Sequence, residues 1–93
     1  MTERSWAFIT SHGVVLIEVA RAPQATVREI AERAALTERQ AHRVLSDLVE
    51  QGYIVRERVG RRNRYRVEEA HPLRHPAVAG RSVSDLLALL GSS

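Results

Sequence analysis

Four stretches of the chain repeat apolar residues at helical spacing, and one alternates them. Between Phe8 and Arg21, at 100° per residue, Phe8, Ile9, Val15, Leu16, Ile17, Val19 and Ala20 sweep a broad arc. Thr10, Glu18 and Arg21 occupy the narrow opposite side. An arc this wide predicts a helix over 8–21 buried on more than one side. Pro23 stops it, and Thr10 and Ser11 both qualify as its cap. Thr26-Val27-Arg28-Glu29 is a capping-box sequence, in which the hydroxyl and the carboxylate satisfy orphan amides at a helix start. The helix it opens runs to about Ala34, with Val27, Ile30, Ala31 and Ala34 on one face. A second box, Thr37-Glu38-Arg39-Gln40, follows after a very short turn. Behind it Ala41, Val44, Leu45, Leu48 and Val49 keep the i, i+3, i+4 pattern, and Gly52 suits a left-handed ending. Two capped helices joined this tightly predict a helix-turn-helix.

The period then changes from helical to alternating. Tyr53–Val59 and Arg64–Val67 are rich in β-branched and aromatic residues, and Gly60-Arg61-Arg62-Asn63 supplies turn chemistry between them. The pattern predicts a β-hairpin with Tyr53, Val55, Tyr65 and Val67 toward the core. Arg56 and Arg58 share a face of the first strand, and Arg64 and Arg66 a face of the second. Residues 68–81 hold Pro72, Pro76 and Gly80 and show no period, which predicts an extended linker, packed or mobile. Ser82-Val83-Ser84-Asp85 caps a last short helix carrying Leu86, Leu87, Leu89 and Leu90 and ended by Gly91.

Composition narrows the class. At 93 residues one domain is expected over 1–93, with a core region at 8–67, the linker at 68–81 and the C-terminal helix at 82–91. A hydrophobic fraction of 44% supports a folded core, which must be aliphatic because only Trp6, Phe8, Tyr53 and Tyr65 are aromatic. The absence of cysteine removes disulfides, thiolate metal sites and a thiol nucleophile. Apolar runs such as Val14–Ile17 are too short to span a bilayer, so no membrane association is expected. The acid in Met1-Thr2-Glu3-Arg4 speaks against a signal peptide, and a cytoplasmic protein is the expectation. Arginine without lysine, beside many alanines, suggests a GC-rich bacterial genome.

Charge sharpens the picture more than its total does. The net charge is +3, yet residues 53–67 alone carry six arginines against Glu57. That leaves a slightly acidic body with one concentrated basic segment, the footprint expected for a polyanion partner. Catalysis finds no comparable support: there is no glycine-rich phosphate loop, nucleophile motif or convincing acid–base pair, so no enzyme is expected. His71-Pro-Leu-Arg-His75 has a chelating H-x3-H spacing if helical, but its prolines oppose a helix, and neither a metal nor a cofactor is expected. His12 lies on the apolar arc of the first helix, as a hydrogen-bonded histidine in a core or interface would.

The order of elements resembles a winged helix-turn-helix. The resemblance rests on Thr26-Val-Arg-Glu-Ile-Ala-Glu-Arg-Ala, on Leu36 through Tyr53, and on the arginine-rich segment 56–66. These residues look like those of bacterial MarR/ArsR-type transcriptional regulators. The fold class implied is α+β, a three-helix bundle plus a β-hairpin wing with a short C-terminal helix. By that resemblance, helix 37–51 enters the major groove of double-stranded DNA and the wing lies on the backbone or in the minor groove. The residue chemistry agrees independently. Arg39, Gln40, His42, Arg43 and Ser46 lie away from the apolar stripe, where arginine suits guanine and glutamine suits adenine. Thr37 can touch a phosphate, and Arg56, Arg58, Arg61, Arg62, Arg64 and Arg66 suit phosphates, with Arg61 or Arg62 at the tip. The alternative is a winged-helix module that binds another protein and not DNA. A homodimer is expected, with Trp6, Phe8, His12, Leu86, Leu87 and Leu90 as candidate interface residues. The C-terminal leucines must dock either on their own chain or on a partner. The sequence names no small-molecule effector.

Overall fold

The computed structural model describes residues 8–90. Helix α1 spans Ser11–Arg21, α2 Val27–Ala34 and α3 Glu38–Glu50. Strands β1 (Ile54–Val59) and β2 (Arg62–Val67) follow, then a 3-10 turn at Pro76–Val78 and helix α4 (Val83–Leu89). The first helix is shorter than its apolar arc. Thr10 caps it, its hydroxyl accepting from the Gly13 amide at 3.2 Å. Phe8 and Ile9 precede the helix, and Phe8 is 90% exposed. Trp6 lies outside the described residues.

Both capping boxes of the helix-turn-helix form as the sequence predicts. The Thr26 hydroxyl accepts from the Glu29 amide at 3.1 Å, and the Glu29 carboxylate accepts from the Thr26 amide at 2.8 Å. At the start of α3, the Thr37 hydroxyl and the Gln40 side-chain oxygen make the same exchange at 3.0 and 2.9 Å. The two helices also end alike. After α2, Leu36 N–H donates to the Ala31 carbonyl at 2.9 Å and Ala35 N–H to Glu32 at 3.3 Å. After α3, Tyr53 N–H donates to Leu48 at 2.9 Å and Gly52 N–H to Val49 at 3.1 Å. Each is a Schellman ending, which requires a left-handed residue. Gly52 supplies it at φ 84°, and Ala35 at φ 57°.

The strands form a two-stranded antiparallel sheet closed by a two-residue turn, Gly60-Arg61, because Val59 pairs with Arg62. Gly60 alone in that turn has positive φ, 62°, as a type II′ turn demands. The turn is thus tighter than the four residues 60–63 read from the sequence. The register runs Ile54↔Val67, Arg56↔Tyr65 and Arg58↔Asn63, so these residues share one face. Ile54 and Tyr65 are buried, and Val67 packs on them. Val55 therefore points to the other face, which corrects its sequence assignment to the core. Val15, Leu16 and Val19 of α1, Ile30 of α2, and Val44, Leu45 and Leu48 of α3 complete the core.

Residues 68–81 are packed rather than free. Pro72 bridges to Ser82, Leu73 N–H donates to the Arg81 carbonyl, and Val83 N–H donates to His71, both at 2.9 Å. The linker is thus a closed loop that returns the chain to the body. Helix α4 docks in cis: Val83 is fully buried and Leu87 is 4% exposed. This corrects Leu87 as an interface candidate, since its side chain is spent on its own core. Gly91, expected to end this helix, lies outside the described residues.

Candidate nucleic-acid interface

One face of α3 is left open by the way the helix packs. Ala41, Val44, Leu45 and Leu48 are buried, so Arg39, His42, Arg43 and Ser46 stand opposite, exposed, within an arc of about 100°. Arg39 and Arg43 are one turn apart on the same row. Neither makes a hydrogen bond or ion pair within the chain, so both guanidinium forks are available for planar bidentate partners. Thr37 is exposed, and its hydroxyl hydrogen remains free to donate while its oxygen caps the helix. Gln40 is different. Its side-chain oxygen is held by the Thr37 amide, so the pair of contacts that reads adenine is not available while the box is closed.

The hairpin does not present its six arginines as one surface. Parity of the register places Arg56 and Arg58 on the Ile54–Tyr65 face, and Arg62, Arg64 and Arg66 on the opposite one. Arg61 alone sits in the turn, at the tip. Several wing arginines are engaged within the chain. Arg66 donates to Glu68 at 3.0 Å and lies 3.5 Å from Glu57, and the hydrogen bond to Glu68 raises its already high pKa. Arg62 reaches back to the Gln24 carbonyl at 3.4 Å, and Arg58 Nε donates to the Gly60 carbonyl at 3.2 Å. Arg56, Arg61 and Arg64 have no such partner. The structure thereby separates guanidiniums that brace the wing from those that are free. Glu68 stands two residues from Arg66, so that engagement carried a readable signal; Glu57 reaches it across the hairpin, and the tie from Arg62 to Gln24 carried no signal.

Three of the four histidines have structural partners. His12 Nε2 donates to the Asp47 carboxylate at 2.8 Å, joining α1 to the second half of α3. His71 stacks on Tyr53 with ring centroids 4.1 Å apart, and its Nε2 lies 2.9 Å from the Gln51 carbonyl. His75 Nδ1 accepts from the Ala77 amide at 3.0 Å, capping the 3-10 turn. Among the described residues, no group of three or more potential ligands stands together to hold a metal. Among them, too, no helix is long and apolar enough to cross a membrane.

Of the remaining interface candidates, Phe8 and His12 are exposed, Leu86 is half-buried and Leu90 is 37% exposed. Two further apolar residues are exposed: Leu89, at 82%, which the sequence places in the leucine-rich helix but not among the interface candidates, and Val78, at 38%, which carried no periodic signal. Together with Leu73 and Leu86 they line an apolar cleft along the outer side of α4.

Three helices with a capped helix-turn-helix, followed by a basic two-stranded wing, define a winged-helix DNA-binding protein. A family model described as MarR family matches residues 10–64, from the cap of α1 into β2, and the chain belongs to that family. The match is to the MarR side of the resemblance, and MarR proteins are DNA-binding regulators of transcription, not enzymes. The linker and α4 lie beyond the matched residues. No curated protein matches the chain.

Proposed function

We propose that the protein is a sequence-specific regulator that inserts the first half of α3 into the major groove. Arg39, His42, Arg43 and Ser46 read base edges there, and Thr37 donates to a phosphate at the helix start. Arg56 and Arg64 hold the backbone, and Arg61, alone at the turn, enters the minor groove. Arg58 and Arg62 join only when they leave their carbonyl partners. The observation that carries this reading is the coincidence of an open Arg39–Arg43 row with a wing whose free cations are Arg61 at the tip and Arg56 and Arg64 along its strands. A homodimer fits the same reading. Two α3 helices about 34 Å apart would meet successive major grooves, and the exposed Val78, Leu89 and Leu90, with the half-buried Leu86, supply an apolar contact. The setting of such a regulator is the bacterial cytoplasm.

Fluorescence anisotropy with fragments selected from the source genome tests this reading. Arg39→Ala and Arg43→Ala should each cost about 1–3 kcal/mol on the selected site and relax its sequence preference. Binding unchanged by both substitutions would reject major-groove reading by α3. It would favour the protein-binding alternative instead.

A further inference from the structure

The box that opens α3 needs one oxygen from the Gln40 side chain and nothing more. Its Oε1 accepts from the Thr37 amide at 2.9 Å, while the Thr37 hydroxyl accepts from the Gln40 backbone amide at 3.0 Å. A backbone N–H can meet only an acceptor, so this bond fixes which way the side-chain amide is turned. The oxygen faces the helix start, and Nε2 is turned away from it. That nitrogen makes no hydrogen bond with the described residues, and Gln40 is exposed. Its two N–H donors are not used by the cap.

The box of α2 provides a contrast within the same chain. There the equivalent position is Glu29, whose carboxylate accepts from the Thr26 amide at 2.8 Å and brings no donor. The two boxes are otherwise alike in geometry. Either residue type completes a capping box, and a carboxylate also suits the positive end of a helix. The glutamine stands at the start of the helix whose open row carries Arg39 and Arg43. An anion there would repel phosphates, whereas an amide would not. Arg43 lies three residues on, about 60° around the axis from Gln40, so the turned amide borders that row.

We propose that Gln40 is a specificity-determining residue that reads DNA by donation alone, an inference that rests on the insertion of α3 proposed above. Guanine presents two acceptors to the major groove, N7 and O6. Adenine keeps N7 but carries an amino group in place of O6, so a donor would face a donor. A free glutamine selects adenine with one donor and one acceptor. Gln40, its acceptor held by Thr37, selects guanine. One closed box thereby fixes both the start of α3 and a base preference.

Selection of bound fragments with the wild type, Gln40→Glu and Gln40→Ala tests the proposal. Glutamate completes the same box, so the melting temperature of Gln40→Glu should be unchanged. Wild-type sites should carry guanine at one position, where changing it to adenine weakens binding about tenfold. Gln40→Ala should lose that preference. Gln40→Glu should turn it to cytosine or adenine, whose amino groups donate to a carboxylate. The scalar coupling that NMR detects across a hydrogen bond should join the Thr37 nitrogen to the Gln40 side-chain carbonyl, both free and on DNA. An adenine preference that depends on Gln40, or loss of that coupling on DNA, would overturn the proposal, because the amide would have turned. Uniformly weaker binding of Gln40→Glu with unchanged preference is the effect of added charge alone, and would overturn it too. Sites that respond to Arg39→Ala and Arg43→Ala but are indifferent to Gln40 would reject this inference and leave the reading of α3 standing. Absence of any DNA binding would reject both.

Discussion

Ala35 and Gly52 hold the same place in two consecutive helix endings, yet only one is glycine. A left-handed Cβ costs about 1–2 kcal/mol, which Gly52 avoids and Ala35 bears. At Gly52 a Cβ would also stand 3.2 Å from the His71 ring. Gly52→Ala should therefore destabilise the fold by about 1–2 kcal/mol in urea denaturation. Ala35→Gly should instead stabilise it by up to about 1 kcal/mol, the relieved strain exceeding the added unfolded-state entropy. Glu29 makes a second prediction at this scale. The hydrogen bond from the Thr26 backbone amide, then that from its hydroxyl, hold the Glu29 carboxyl below its ordinary pKa of 4.5. A depressed carboxyl stabilises the fold above its unfolded pKa and loses that contribution as pH falls through the folded value. Melting temperatures measured from neutrality to below pH 4.5 should thus fall less steeply in Glu29→Gln than in the wild type.

The elements divide by how local their causes are. The capping boxes at Thr26, Thr37 and Ser82 were legible because each joins residues three apart. The burial stripes of α2 and α3 follow from period alone, and the structure keeps them. Strand parity was not legible: Ile54 and Val55 are adjacent and both apolar, so either register fits the pattern. The core decides it by burying Ile54 beside Tyr65. The linker had no period to read because its order comes from particular contacts, Pro72 with Ser82 and His71 with Gln51. For the candidate site, the exposed row on α3 was readable from its apolar complement. The commitment of Gln40 to its cap was also visible in the motif, and it conflicts with a role at adenine. Which wing arginines are free depended on the fold. The salt dependence of DNA binding should expose that difference. Arg61→Ala should reduce the log–log slope by about 1, while Arg66→Ala, whose guanidinium is already met by Glu68 and Glu57, should change it little.

At the scale of the whole molecule, α4 has two sides with different work. Its inner residues Val83 and Leu87 fill the core that the family-matched elements begin, so the folding unit extends beyond residue 64. Its outer residue Leu89 is exposed beside the cleft of Leu73, Val78 and Leu86. The two sides should separate in experiment. Leu87→Ala should lower stability by about 2–5 kcal/mol, the cost of emptying a buried leucine site. Leu89→Arg should leave the melting transition of the single chain nearly unchanged and shift sedimentation from dimer to monomer. A dimer that survives Leu89→Arg would place the interface elsewhere.

The stack of His71 on Tyr53, with its bond to the Gln51 carbonyl, has a mechanical meaning. It rivets the returning linker to the last turn of α3, and the Pro72–Ser82 bridge carries that rivet directly to α4. A partner gripping α4 therefore holds α3 by a short strut and not by a tether. Two protomers joined through α4 would behave as a caliper with a fixed gap. Such a tool measures the distance between two half-sites as strictly as it reads the bases within them.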